Sequence, residues 1–416
     1  MILRARIVVP VCTPPIDDGA VVMVGGRITA VGAWSELRPR HRGKVSDLGD
    51  VIILPGLVNA HCHLDYTDMV GQLAPTKSFT DWIKSIITLK AGWSYADFAL
   101  SWLRGAKMLL RSGTTTVADI EAVPELLPEV WAATPLRVIS FLELLNIKSR
   151  AVARELVESA VARLAALPQS RDRVGLSPHS PYSTTPGLQR LAARAARQRR
   201  WPVTAHLAES EQEFEMFMYR RGPMFDWLKK QRDNSDCGHG SPVMAFAKQG
   251  LLAENFLGAH VNYLWDNDAR ILGRHRASVV HCPRSHAFFQ HARFPFQQLQ
   301  KAGVNLCLGT DSLASMGKMR GEKIELNMFS EMRALASKVS LLSPEDILRL
   351  ATVNGAQALG RAGKIGVLAP KAQADLIVIP CAGKISDVFD AVLHHHGDVA
   401  ASMIGGRWAV APAAGS

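Results

Sequence analysis

Two histidines one residue apart, His61 and His63, stand in PGLVNAHCHLDYT, directly after the apolar run Val51-Ile52-Ile53-Leu54. In an extended chain residues i and i+2 point to the same side. Both imidazoles can therefore reach one ion, with Cys62 turned away. Neutral imidazole suits Zn²⁺, and Fe²⁺, Mn²⁺ and Ni²⁺ share the preference. An HxH pair alone is a weak signal, because paired surface histidines are common. Its weight comes from similar residues elsewhere. His179 ends RVGLSPH, His206 and Glu209 end PVTAHLAE, and His260 sits in FLGAHVNYL. His281 follows in ASVVHCP and Asp311 ends VNLCLGTD. Each comes at the close of an apolar run, and polar residues recurring at one structural address are hard to assign to packing.

The elements that must position these residues follow from the same runs. Strands are expected over GTTTVADI (113–120), LRVISFLELL (136–145), 173–179, 202–209, 256–264, 277–283 and 304–311, besides the one ending at His61. Helix-like stretches such as YADFALSWLRGAKMLLRSG and ARELVESAVARLAAL lie between most of them. Alternating β and α units of this number predict an α/β fold, a (β/α)8 barrel of the TIM type, whose chemistry sits at the C-terminal strand ends. A longer irregular insertion is expected at about 210–255, after the fifth strand. Residues 1–54 and 363–416 instead alternate short apolar strands with Gly-Gly and Asp-Asp-Gly turns. They are expected to form one small β-sandwich domain from both termini, around a barrel spanning 55–362.

Composition narrows the function classes. The chain has 416 residues, 48% hydrophobic and 20% charged, which reads as globular. No run approaches the roughly 18 apolar residues of a membrane span, and MILRARIVVPV lacks the pattern of a signal peptide. No membrane partner and a cytoplasmic location are expected. The six cysteines show no CxxC spacing, which favours reduced thiols. The formal charge of +11 raises the question of nucleic acid. Much of it lies on helices such as LQRLAARAARQRR (188–200), where Leu188, Leu191 and Ala195 can face the core and the arginines water. With no aromatic-interleaved basic strand and no H-x-E…P-C-x-x-C signature, nucleic acid is not the expected partner. The charge could still draw in an anionic small molecule.

In combination, PGLVNAHCHLD, GTTTVAD, SPHSPYS, HLAES, GAH, VVHCPRSH and LGTDSLAS resemble the amidohydrolase superfamily, in its metal-dependent deaminase and chlorohydrolase branch. ATVNGAQALG (351–360) and GVLAPKAQADLIVI (366–379) are similar to its return to the β domain. One departure is Lys371, where relatives usually have glycine. The resemblance implies one divalent metal, Zn²⁺ or alternatively Fe²⁺, held by His61, His63, His206 and Asp311. Ser177-Pro178-His179 stands where binuclear relatives carry a bridging lysine, so a single ion is expected. The family pattern makes Asp311 the proton acceptor, Glu209 the proton donor and shuttle, and His260 the group that orients water.

Substrate signals are thinner. His179 is a candidate substrate contact. In KSFTDWIKSI (77–86), Trp82 could stack on a heterocycle or pack its loop against the barrel. The elements GP-FDWL, SPV and GLL of 220–252 are similar to those of the aminodeoxyfutalosine deaminases of the alternative menaquinone pathway, which convert a purine 6-amino group to a keto group. Relatives acting on methylthioadenosine and adenosylhomocysteine often carry an acid after the first-loop Trp helix; here ITLKAGW places Lys90 there. Arg220, Arg221 and Arg284 could meet an anionic substrate group, or be ordinary structural arginines. The expected function is hydrolytic deamination of an adenine-type nucleoside, aminodeoxyfutalosine first. Deamination of methylthioadenosine, adenosylhomocysteine or guanine, triazine dechlorination, and a metal-free binding scaffold are the alternatives. A homodimer is compatible with such a barrel.

Overall fold

A computed structural model describes residues 1–74, 76, 78–147, 152–167, 173–316, 323–381 and 383–413. Lys77 of the 77–86 stretch thus lies outside the described residues. The strands, in chain order, are β1 (Ile2–Val8), β2 (Ile16–Val24), β3 (Arg27–Ala33), β4 (Val45–Asp47) and β5 (Val51–Pro55). Then come β6 (Leu57–Cys62), β7 (Thr114–Glu121), β8 (Arg137–Leu144), β9 (Val174–Pro178), β10 (Val203–Leu207), β11 (Phe256–His260), β12 (Ser278–His281) and β13 (Asn305–Leu308). The last are β14 (Leu376–Pro380), β15 (Ala401–Ile404) and β16 (Arg407–Val410).

Strands β6 to β13 form one eight-stranded sheet in sequential order, with parallel neighbours throughout. Every residue of β6, β7, β9 and β10 is buried, as expected of strands covered on both faces. Contacts at the seam between β6 and β13 close the barrel. Thr310 and Asp311 both donate backbone N–H to the His61 carbonyl at 3.1 Å. The Asn59 side chain donates to Thr310 Oγ1 at 2.7 Å and accepts the Thr310 N–H at 3.1 Å. Gly309 makes this approach feasible, since a Cβ there would stand 2.7 Å from the His61 carbonyl oxygen. The barrel is thus the TIM-type barrel the alternating pattern predicts.

Helices cover the outside. Tyr95–Arg111 begins with a reciprocal Ser94–Asp97 capping box and buries Phe98, Trp102, Ala106 and Leu109. Pro186–Arg199 is capped by Thr185 and buries Leu188, Ala192, Ala193 and Ala196. Leu191 and Ala195 lie only at the edge of that stripe. Alanines at 192, 193 and 196 allow close approach, so the buried face turns toward them. The 210–255 insertion is more regular than its sequence suggests. It contains the helices Glu211–Tyr219, Pro223–Leu228 and Pro242–Lys248, the first and third capped by Ser210 and Ser241. Each is under three turns, too short for a periodic signal to stand out.

The termini build a separate sheet in the order β16-β15-β14-β5-β1-β2-β3, with β4 on β1. The halves join where β14 runs antiparallel to β5, Leu376 opposite Pro55 through Pro380 opposite Val51. Alternation divides its faces. Leu3, Ile53, Leu376 and Val378 pack in the small domain's own core, while Ile7, Ile52, Leu54, Ile377 and Ile379 join the barrel's. Arg137 of β8 donates from Nε and Nη2 to the buried Asp375 carboxylate at 2.9–3.2 Å, fixing the sheet against the barrel. All six cysteines are free thiols. No described helix is long and apolar enough to cross a membrane.

Lys371 sits in the turn before β14 with φ 75°, the left-handed region. An L residue there costs about 1–2 kcal/mol, which glycine avoids at some loss of chain entropy. Lys371→Gly is therefore expected to raise stability by about 1 kcal/mol in denaturant unfolding. A loss of stability in that variant would contradict the strain assigned to this turn.

Candidate metal centre and active site

Residues from four strand ends meet at the C-terminal mouth of the barrel. His61 is the next-to-last residue of β6 and His63 follows that strand; His206 lies in β10, His260 ends β11, and Asp311 follows β13. All five are buried, at 1–6% exposure. Ligand atoms of His61, His63 and His206 lie within 4.8 Å of one another, and so do those of His61, His260 and Asp311. Asp311 Oδ1 is 3.6 Å from His61 Nε2 and 3.8 Å from His63 Nε2. The Nε2 atoms of His63 and His206 are 3.2 Å apart.

The backbone departs from regular strand geometry to bring this about. Ala208, His260, Val261 and Asp311 all have positive φ, between 49° and 72°. Left-handed backbone in non-glycine residues is costly and concentrates at functional sites. The register of β6 on β7 also shifts between Asn59 and Cys62. Ala259 packs inside the barrel, so strict alternation would turn His260 outward. The left-handed turn at its own position breaks that alternation.

The chemistry of the donor set fits a divalent cation. His206 Nδ1 donates to the His179 carbonyl at 3.1 Å, so its Nε2 carries a lone pair aimed at the cluster. Neither ring nitrogen of His61 has a hydrogen-bond partner among the described residues, nor does His260 Nε2. Burial holds the proton affinity of His63 and His260 well below the usual range and that of His206 down to about 3, so these rings are neutral. Burial pushes the Asp311 carboxyl up, but His61, His260 and His63 beside it reverse this and leave it well below its ordinary value. Neutral imidazoles and one ionised carboxylate are the ligands zinc takes. Ligands about 2.0–2.1 Å from a tetrahedral ion stand roughly 3.4 Å apart, close to the separations seen here.

Around this cluster lie the other residues that the sequence singles out. Glu209 is buried, with Oε1 3.6 Å from His260 Nε2. Burial first, then Asp311 and Glu213, push its carboxyl well above the usual range. The His179 ring stands 4.7 Å from that of His206 and its Nε2 3.8 Å from Glu143 Oε1. Its Nδ1 shares hydrogen bonds with the hydroxyls of Ser183 and Ser180, at 2.6 and 3.1 Å. Trp82 stacks on Phe79, meets Phe289 edge-on, and donates its indole N–H to the Ala314 carbonyl at 3.4 Å. That contact places it against the loop after Asp311, in a packing role. Arg284 is not brought to the cluster: its guanidinium donates to the Glu325 carbonyl at 2.8 Å and faces Glu331 at 3.6 Å. His281 turns away too, its ring stacked on Phe294 at 3.8 Å. Arg220 caps the Glu211–Tyr219 helix in a left-handed turn, and Arg221 pairs with Glu215 at 2.8 Å.

Sequence reasoning missed several positioning groups. Glu213 accepts the backbone N–H of Ala208 and Glu209, at 3.1 and 2.8 Å, and so holds the turn that carries Glu209. Ser315 donates to Asp311 Oδ2 at 3.0 Å. Asp119 accepts the Leu64 N–H at 3.0 Å and the Trp102 indole at 2.8 Å, and burial raises its carboxyl to about 7. Tyr66 stacks on His63 and bonds the Lys90 ammonium. Glu143, a carboxylate at the end of the third barrel strand, carried the same signal as the histidines and could have been found by it.

Residues 52–409 match the amidohydrolase family, and the chain belongs to it. Residues 19–43 also match a bacterial imidazolonepropionase-like composite domain. The chain is 31% identical over 381 residues to a 5-methylthioadenosine/S-adenosylhomocysteine deaminase of Syntrophobacter fumaroxidans, covering 87% of this chain and 80% of that one. It is 29% identical over 356 residues to an aminodeoxyfutalosine deaminase of Deinococcus radiodurans, covering 83% and 82%. Among solved structures, a zinc-bound adenosine deaminase from Xanthomonas campestris superposes with TM-score 0.83 at 25% identity, covering 98% of this chain and 92% of that one. The protein is accordingly a hydrolase acting on C–N bonds.

Equilibrium dialysis of the full chain against Zn²⁺ is expected to give one tightly held ion per chain. His61→Ala or His206→Ala should weaken it by more than the about 10–100-fold typical of outer-shell changes. Unchanged affinity in both variants would show that the cluster is not the site.

Proposed function

We propose that this chain hydrolytically deaminates an adenine-type nucleoside derivative, with aminodeoxyfutalosine, and hence menaquinone biosynthesis, as the first assignment. The meeting of His61, His63, His206 and Asp311, with Glu209 and His260 alongside, carries this reading. Those four residues would hold one divalent ion, zinc first and Fe²⁺ second. The ion supplies Lewis acidity that brings the pKa of water toward about 7 in the zinc case.

The chain's own residues do the rest. Asp311, ionised at neutral pH, takes a proton from the attacking water. Water adds to the carbon bearing the amino group, and the neighbouring ring nitrogen must gain a proton as that carbon becomes tetrahedral. Glu209 keeps a proton because its carboxyl is buried, and gives it to that nitrogen. Glu209, now ionised, takes the remaining hydroxyl proton and passes it to the departing ammonia, leaving a keto group, and the proton held on Asp311 returns to Glu209. His260 Nε2, without a hydrogen-bond partner among the described residues and 3.6 Å from Glu209, orients the water and steadies developing charge. His179, beside His206, is the contact assigned to the nucleoside.

Relatives named for deamination of methylthioadenosine, adenosylhomocysteine and aminodeoxyfutalosine support the adenine-type class. Lys90, bonded to Tyr66 where many methylthioadenosine enzymes have an acid, favours the futalosine substrate. The 31% identity to the Syntrophobacter enzyme favours methylthioadenosine or adenosylhomocysteine as the second reading. Ammonia release should be assayed with metal-loaded protein on aminodeoxyfutalosine, methylthioadenosine, adenosylhomocysteine, adenosine and guanine. The largest kcat/KM is expected for aminodeoxyfutalosine. Turnover of a chlorotriazine and none of the panel would overturn the class.

Asp311→Asn and Glu209→Gln are each expected to lower kcat by about 10²–10⁴-fold with circular dichroism unchanged. The acidic form of Glu209 is the active one, so kcat/KM should fall as pH rises through its elevated pKa. That alkaline limb should vanish in Glu209→Gln. Near-normal rates in either variant contradict the assigned role.

A further inference from the structure

Both backbone groups of Glu209 are held by side chains. Its N–H donates to Glu213 Oε2 at 2.8 Å, and its carbonyl accepts from the Asn262 amide at 2.9 Å. Asn262 comes two residues after His260, from the turn in which His260 and Val261 both have positive φ, 72° and 52°. Backbone of this kind persists only where its surroundings over-determine it. Asn262 also donates its own N–H to the Ala208 carbonyl at 2.9 Å, and Val261 donates to the Leu207 carbonyl at 2.9 Å. One buried residue thus pins the turn that carries His260 to the turn that carries Glu209. The facing atoms of those two side chains stand 3.6 Å apart.

The Asn262 amide can do this in one orientation only. With its nitrogen toward the Glu209 carbonyl, its oxygen needs a donor from elsewhere. His286 supplies it, with Nδ1 3.0 Å from Asn262 Oδ1. Burial holds the proton affinity of His286 down to about 4, so the ring is neutral and carries one proton. Two facing acceptors would repel, which puts that proton on Nδ1. The ring packs edge-on against His281 at 5.2 Å and His291 at 5.4 Å. His281, which turns away from the metal cluster, therefore forms part of the wall that orients His286. The run VVHCPRSH meets the reaction centre through His286 and Asn262.

We infer that Asn262 and His286 are positioning residues for the Glu209 carboxyl, fixing the root of that side chain and its distance from His260. The inference rests on the proton-transfer role given to Glu209 above. The segments after β10, β11 and β12 contribute Glu209, Asn262 and His286 in turn, so three neighbouring loops are tied together at the proton donor. A misplacement of about 1 Å at a reacting group costs up to about 10²-fold in rate. Because the two residues act through Glu209, their effect disappears once its carboxyl is gone.

Metal-loaded, full-length variants should be compared on whichever compound of the ammonia-release panel, or chlorotriazine, the wild type turns over. His286→Ala should lower kcat by at least about tenfold and change KM by less than about twofold. His286→Asn keeps a donor where Nδ1 stood and should restore most of the rate. His286→Gln fills the space but carries its donor toward the Nε2 position, and should not. Adding His286→Ala to Glu209→Gln should cost no more than about twofold further. Bound zinc should be equal in all of these variants. Hydrogen exchange of residues 204–214, read by mass spectrometry, needs no turnover. It should quicken in His286→Ala and Asn262→Ala and return to the wild-type rate in His286→Asn. An additive loss on the Glu209→Gln background, equal rates for the asparagine and glutamine variants, or unchanged exchange in His286→Ala overturns the inference. The asparagine–glutamine comparison holds even where the alanine variant fails to fold. If wild type turns over nothing, the deaminase reading falls, and the exchange comparison alone decides whether these residues hold the Glu209 turn.

Discussion

Lone pairs on buried imidazoles need something to face, and in this chain they face one another. His61 lies at 1% exposure with neither ring nitrogen bonded among the described residues. His63 and His206 point their Nε2 atoms at each other across 3.2 Å. A buried polar group left without a partner costs about 1–3 kcal/mol, and several of them here share one small volume. A protein could avoid this by turning the rings toward carbonyls or solvent. Here the rings are held in place, by the His179 carbonyl on His206 and by Tyr66 stacked on His63. The structure makes sense if an ion completes the cluster, and the remaining features serve to keep it assembled.

That requirement explains the irregular parts of the barrel. Regular strands would send His61 and His63 to one side together but, with Ala259 packed inside the barrel, would turn His260 away from that point. The shifted register of β6 and the left-handed residues after β10, in β11 and after β13 re-aim them. Such backbone costs free energy, and local hydrogen bonds offset it. Asn59 locks the Thr310 turn, and Glu213 takes two backbone N–H groups where Ala208 turns left-handed. Asp119 ties down the segment after His63 through Leu64. These residues touch the chemistry only by holding its parts in place.

Charge is arranged with the same economy. The deep site combines neutral rings with carboxylates, Asp311 ionised and Glu209 held protonated by burial. Two carboxyl groups at one cluster are thereby shifted in opposite directions, Asp311 below its ordinary range and Glu209 above it. Much of the formal charge of +11 sits on arginines of solvated helix faces, as on Pro186–Arg199.

The sequence by itself determined the barrel, because each strand is a short apolar run closed by a polar residue, and that pattern is local. It also marked His61, His63, His206, His260, Glu209 and Asp311 by their common address at strand ends. Local pattern could not tell His281 from them: it follows the same kind of run, yet its ring packs outward on Phe294. Nor could it foresee that Arg284 would be occupied by Glu331, forty-seven residues away in the chain. Lys371 was visible as a departure, but its left-handed φ is a property of the turn. Which way a side chain points at a strand end depends on bulges, positive φ and closure against a distant strand. Those are long-range facts, and only the tertiary structure decided them.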